Sequence, residues 1–411
     1  MSPTASAVPR SAWPWSLRMV VLCGGTIVGL SGGMRQVTAL YMPPVTQSLG
    51  VSVASFSTAL AIASLMWGFS SVVAGALADR YGAARVGAAG IVLLALGYLA
   101  MCNAASGADL IWMGVCLGLG AGCTGTSVMV GAVGRVAPAG DRPVAIAAVS
   151  IANGIGGFVL FPYAHLFIAT LGWQGAALAG AATLAALLPL AAILSRHEAG
   201  PAAPRTRPQP FGAAMAEAAA LPSYWLLFFG FFICGFHVSF YASHLPNYAA
   251  TLGLESWVGM AALSAVGAAN ILGTWLSGLW GRRLEQRRGL ILIYLGRSLV
   301  FVGFLVLPMN AWVLIGLSAL LGLFWLATVP LTSGLVATFF GTTWLSTLYG
   351  TVFLGHQLGA FLGVWLGGVL FDATRSYAAM WWISIALGVI AALLHGPIRE
   401  TPVSRMAHSE A

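Results

Sequence analysis

Lysine is absent from the 411 residues, and charge of either sign is scarce: 18 arginines, 10 acidic residues, 7% charged side chains in all. An ordinary soluble domain carries about a quarter charged residues, so that class is excluded, and disorder, which needs low hydrophobicity and high charge, is excluded with it. A phosphate-binding glycine loop ends in lysine, so ATP-driven pumping by this chain alone is ruled out. Only five cysteines occur, Cys23, Cys102, Cys116, Cys123 and Cys234, all in apolar stretches. An odd number without zinc-type spacing argues against a disulfide framework or a metal site. No nucleophile and base stand at a meaningful spacing, so no enzyme is expected and no cofactor is called for.

What is abundant is apolar side chain, 59% of the sequence. A membrane-spanning helix needs about 20 apolar residues. Apolar segments run over 17-43, 52-77, 85-104, 108-135, 143-170 and 173-195, then over 223-249, 256-280, 289-308, 311-337, 344-371 and 376-396. The first has no convincing small-residue cleavage site and reads as an uncleaved span. This predicts an all-α membrane protein with a tail over 1-16, six spans over 17-195, a polar, proline-containing loop over 196-222, six more spans over 223-398 and a tail over 399-411.

Fifteen arginines fall on the side that holds the termini, two (Arg35 and Arg297) inside the membrane, and one, Arg375, on the other side. By the positive-inside rule both termini are cytoplasmic, and a bacterial inner membrane is the expected location. No basic stripe or soluble domain exists to bind nucleic acid; lipid and a small solute are the expected partners, and the chain is expected to be monomeric. All ten acidic residues, Asp79 and Asp372 among them, fall in loops or at span ends. Glycines recur at spacing four, as in Gly355, Gly359, Gly363 and Gly367, a pattern that lets helix backbones approach closely.

Between the second and third spans the chain reads Gly75-Ala76-Leu77-Ala78-Asp79-Arg80-Tyr81-Gly82-Ala83-Ala84-Arg85. With twelve spans split six and six around a basic loop, this resembles the cytoplasmic-loop signature of the major facilitator superfamily. The resemblance implies two pseudo-symmetric six-helix bundles built from inverted repeats around a central pathway. It also implies a gating role for Gly75, Asp79, Arg80, Gly82 and Arg85, with Asp79 facing the start of the eleventh span near Thr342 to Leu345. Physically, a carboxylate there can accept hydrogen bonds from the free N–H groups of a helix start. The matching stretch of the second half, Gly278-Leu279-Trp280-Gly281-Arg282-Arg283, has arginine where the first has aspartate. Arg35 after Gly32-Gly33-Met34, Pro43-Pro44, and Gly154 to Pro162 before Gly172-Trp173-Gln174 are similar to bacterial porters near the monocarboxylate and oxalate/formate transporters. Such porters commonly carry an arginine where this chain has Thr274 and an acid where it has Asn270.

Ionisable groups inside a membrane cost about 2.5 kcal/mol or more and mark candidate sites. Arg35 lies roughly 7 Å past the middle of the first span at 1.5 Å per residue, with no mid-membrane acid to neutralise it, so an anion is its natural partner. His237 and His244 are seven residues apart on one helical face, and His356 lies near the middle of the eleventh span. Histidine titrates near neutral pH and can take the place of a carboxylate as proton carrier. Tyr41, Asn153, Asn270, Trp325 and Gln357 complete the candidate binding residues. Arg297 is expected to snorkel towards the surface or to tie two spans together; His165 is expected to be structural.

The expectation is a secondary transporter that moves a small organic anion, a mono- or dicarboxylate, in symport with protons and driven by the ion gradient. The alternatives are an efflux porter for drugs or metabolites, uptake of a larger neutral solute, and a transport-dead sensor.

Overall fold

The computed structural model describes residues 15–125, 128, 129, 132, 133, 136, 142–197, 210–341 and 344–403. Every regular element among them is helical. The spans are numbered α1 to α12. In the first half, α1 is Trp15–Leu49, α2 Val53–Tyr81, α3 Ala83–Cys102 and α4 begins with Asp109–Thr124, while 142–171 form α5 and 173–197 form α6. In the second half, α7 is Pro222–Thr251, α8 Ser256–Arg283, α9 Gln286–Val306, α10 Ala311–Phe340, α11 Leu345–Thr374 and α12 Ala378–His395.

The boundary between α5 and α6 is set by Gly172, whose φ of 69° and ψ of 173° no helix contains. A side chain with a Cβ is disfavoured there. The loop expected over 196-222 is partly helical: Phe211–Ala220 forms a short helix with Ala214 and Ala218 buried. Its apolar alanine face explains why a segment bounded by prolines still packs.

Within the first half α1 packs on α5, and α2 and α3 on α4; within the second, α7 packs on α11, α8 on α10 and α9 on α12. The halves meet where α2 lies along α11 and α5 along α8. Glycine makes the closest of these approaches possible. A methyl group on Gly235 of α7 would fall 1.8 Å from the His356 carbonyl oxygen of α11, and one on Gly359 would fall 1.9 Å from that of Phe232. Gly156 of α5 meets the Gly29 carbonyl of α1 in the same way. In a membrane, where lipid is as apolar as leucine, such backbone proximity supplies the packing that holds helices together.

One span is interrupted. Helix α10 loses its regular turns over Phe324–Ala327 and resumes at Thr328. Pro330 has no N–H to offer the Leu326 carbonyl four residues earlier, which accepts the Val329 N–H at 3.0 Å instead; the neighbouring backbone groups of the interrupted turns find side-chain partners. Buried Arg297 of α9 donates to the Phe324 carbonyl from Nε at 3.1 Å and Nη2 at 2.7 Å, and to the Trp325 carbonyl at 2.6 Å. The Leu326 N–H donates to Asn270 Oδ1 of α8 at 2.9 Å, and the Ser277 hydroxyl donates to the Ala327 carbonyl. Non-helical backbone at membrane depth is tolerated when it is satisfied within the protein like this.

Candidate functional site

Arg35 projects from α1 to Trp67 of α2, its guanidinium carbon 4.1 Å from the ring centroid. It is half-buried, and its guanidinium forms no hydrogen bond or ion pair with a described residue. Trp67 meets Phe353 of α11 edge-on at 5.5 Å, Phe353 stacks on His356 at 5.6 Å, and His356 lies 4.9 Å from Phe231 of α7. This row of rings crosses from the first half to the second. It forms because Gly68, beside Trp67, lets the Gln357 Cβ and Cγ come close. Arg35, His356 and Gln357 are thus brought to one interface. His356 Nδ1 and Gln357 Nε2 are buried there without a hydrogen-bond partner among the described residues. Buried polar groups are normally paired, so two such atoms left open at the interface between the halves stand out.

The remaining candidates lie elsewhere. His237 faces away from this row: it is 1% exposed, sits 5.1 Å from the Phe301 ring of α9 beside Gly388 of α12, and neither ring nitrogen makes a well-formed hydrogen bond. The seven-residue spacing does not bring His237 and His244 to one task, because α7 is covered on several sides. His244 is held near the face opposite the termini, with Nδ1 2.9 Å from the Tyr377 hydroxyl and Nε2 2.9 Å from the Val364 carbonyl. Tyr41 is 1% exposed and packs edge-on against Tyr98 inside the first half, so it contributes core and not cavity surface. Asn153 of α5 rests on Gly32 of α1, a helix-packing position. Asn270 has its side-chain oxygen occupied by the Leu326 N–H and the Thr274 hydroxyl, the latter at 3.2 Å. Trp325 lies in the interrupted part of α10 and meets Tyr241 edge-on at 5.8 Å.

In the loop motif, Gly82 ends α2 with φ 92°, a conformation that favours glycine, while its N–H donates to the Ala78 carbonyl at 3.0 Å. Gly75 has open space where a Cβ would stand, and Arg85 is exposed. The side chains of Asp79 and Arg80, and residues 342 and 343 at the start of α11, lie outside the described residues. On the same side Glu285, before α9, is held below the usual carboxylate range by hydrogen bonding to Arg287 and by Arg288 nearby.

Sequence alone does not single out Trp67 or Phe353, since aromatic residues are common throughout the spans. The weak signal is Trp67-Gly68, a ring beside a residue small enough to admit a neighbouring helix.

The sequence profile of the Major Facilitator Superfamily matches residues 24–354. The chain is 28% identical over 407 residues to monocarboxylate transporter 11 of Homo sapiens, covering 94% of this chain and 83% of that protein. Among solved structures, a bacterial homolog of the human lysosomal transporter Spinster, in an inward-facing and unoccupied conformation, superposes with a TM-score of 0.74 at 16% identity, covering 93% of this chain and 97% of that one. A D-xylose-proton symporter superposes with a TM-score of 0.71 at 15% identity, covering 94% and 98%. A profile that spans most of the chain, and an all-helical fold in two packed halves, lead to one assignment: the chain belongs to the major facilitator superfamily and is a multi-pass membrane transporter, not an enzyme.

Proposed function

We propose that this transporter carries a small organic anion, a mono- or dicarboxylate, across the bacterial inner membrane by alternating access, in symport with protons. The observation that carries the reading is Arg35, a half-buried guanidinium on an aromatic face with no carboxylate beside it among the described residues. A desolvated cation–π contact is worth about 2 kcal/mol, less than the several kcal/mol that desolvating an ion costs. A carboxylate solute would close that gap and would find further donors in His356 and Gln357. The acidic residues lie in loops or at span ends, so none stands at mid-span to await a cationic solute. A relative named as a monocarboxylate transporter agrees with this class of solute. His356 is the residue assigned to the coupled proton, because it shares the interface with Arg35, whereas His237 does not.

The experiment is uptake by proteoliposomes of a panel of mono- and dicarboxylates under an imposed proton gradient. Carboxylate uptake that collapses with the gradient supports the reading; uptake of neutral or cationic solutes alone removes it. The arginine asymmetry supports cytoplasmic termini, which is checked by labelling cysteines at Gly107 from the periplasm and at Gln209 from the cytoplasm.

A further inference from the structure

On the face opposite the termini, the two halves are joined by hydrogen bonds as well as by packing. Ser52 precedes α2 and its Oγ accepts the Ser55 N–H at 3.1 Å. The N–H groups of Val53 and Ala54, at the first turn, have no acceptor within their own helix. Both donate across the interface to the Asp372 carboxylate at the far end of α11, at 3.2 and 2.8 Å. One turn before Asp372, Gly368 lies so close to α2 that a methyl group there would fall 2.6 Å from Ser57 and 2.9 Å from the Ala54 Cα. One turn further along α2, Ser57 Oγ is 3.4 Å from His244 Nε2. Three hydrogen bonds between the halves thus lie on this face.

We propose that Asp372 is the latch that holds this face shut. The carboxylate sits on the positive end of a long helix and satisfies two N–H groups that nothing else in α2 can satisfy. A solute entering from this face has to pass between α2 and α11, so the latch has to release in every transport cycle. It can do so cleanly: water replaces the carboxylate at the two N–H groups, and the carboxylate itself is hydrated at the span end. Closure and opening are then two discrete arrangements of one contact, which is how packed interfaces switch. The latch depends on the fold and not on which solute is carried, so it stands or falls apart from the carboxylate reading.

The test uses Ser57, which is fully buried between α2 and α11, as a reporter. In a cysteine-free protein carrying Ser57→Cys, reaction with a membrane-impermeant maleimide proceeds at a rate set by the fraction of molecules open on this face. Asp372→Asn and Asp372→Ala are expected to raise that rate by about tenfold or more, the scale of losing charge-assisted hydrogen bonds. Arg375→Ala, at the same end and exposed, is expected to leave it unchanged. A companion protein retaining only Cys234, buried within the second half, is expected to label at the same rate with and without the Asp372 change. An unchanged rate at position 57 in both Asp372 variants overturns the proposal. An equal rise at Cys234 or in Arg375→Ala also overturns it, since general loosening would then be the cause.

Discussion

Arg297 spends two of its donors on a single carbonyl, that of Phe324, and a third on the next carbonyl, that of Trp325. A charge buried at 0% exposure is thereby solvated by the backbone of an interrupted helix, and each feature accounts for the other. Arg297→Met leaves those carbonyls without partners in an apolar setting, a loss of about 3 kcal/mol or more. Asn270→Ala frees the Leu326 N–H and is expected to cost about 1 to 3 kcal/mol. Because both side chains hold one segment, the double variant should lose less than the sum of the single losses. Denaturation of the purified protein in detergent checks this; a melting temperature unmoved by Arg297→Met would show that α10 does not depend on the clamp.

Glycine positions divide by what a methyl group would meet. Gly235→Ala forces α7 away from the His356 carbonyl and is expected to destabilise by about 1 to 3 kcal/mol. Gly75→Ala projects into open space and is expected to leave stability unchanged. Equal melting temperatures for the two variants would contradict the close α7–α11 packing.

His237 and His356 should respond differently to substitution. His237→Phe replaces a ring whose nitrogens lack good partners with an apolar one against Phe301, so stability is expected to hold or rise. The pH profile of uptake should keep its shape in that variant. His356→Gln, by contrast, is expected to flatten the rise in uptake as external pH falls. The comparison is made by initial rates across pH 5 to 8; a flattened profile in His237→Phe alone would move the proton site.

Asp79 is the acid of the loop motif, and Asp79→Asn is expected to keep the fold while weakening closure of the face that holds the termini. Transport should slow across the whole range of solute concentration. Wild-type rates throughout that range would remove the gating role.

Twelve spans, their six-and-six division and the glycine contacts of α11 are legible in the sequence, because length, hydropathy and spacing are local properties. For Arg297 the sequence leaves snorkelling and a tie between spans both open; at 0% exposure, bonded to α10 carbonyls, it is the tie. The use of Asn270 to hold α10 is not legible, because it depends on which helix faces which; Pro330 is the local hint that the α10 ladder is broken. The same limit explains His237, whose face of α7 turned out to be covered by α9 and α12. Asp372 reads as an ordinary span-end acid until the start of α2 is seen against it.

The central claim is that Arg35 binds the anionic solute, and it is tested most directly by transport kinetics of Arg35→Gln with the carboxylate found in the proteoliposome screen. Losing a charge-assisted hydrogen bond costs about 1.5 to 3 kcal/mol, or roughly ten- to a hundred-fold in affinity. The account predicts a fall in carboxylate affinity of that size, with expression and melting temperature preserved. Carboxylate transport by Arg35→Gln with unchanged affinity would contradict it and leave Arg35 as a brace on Trp67.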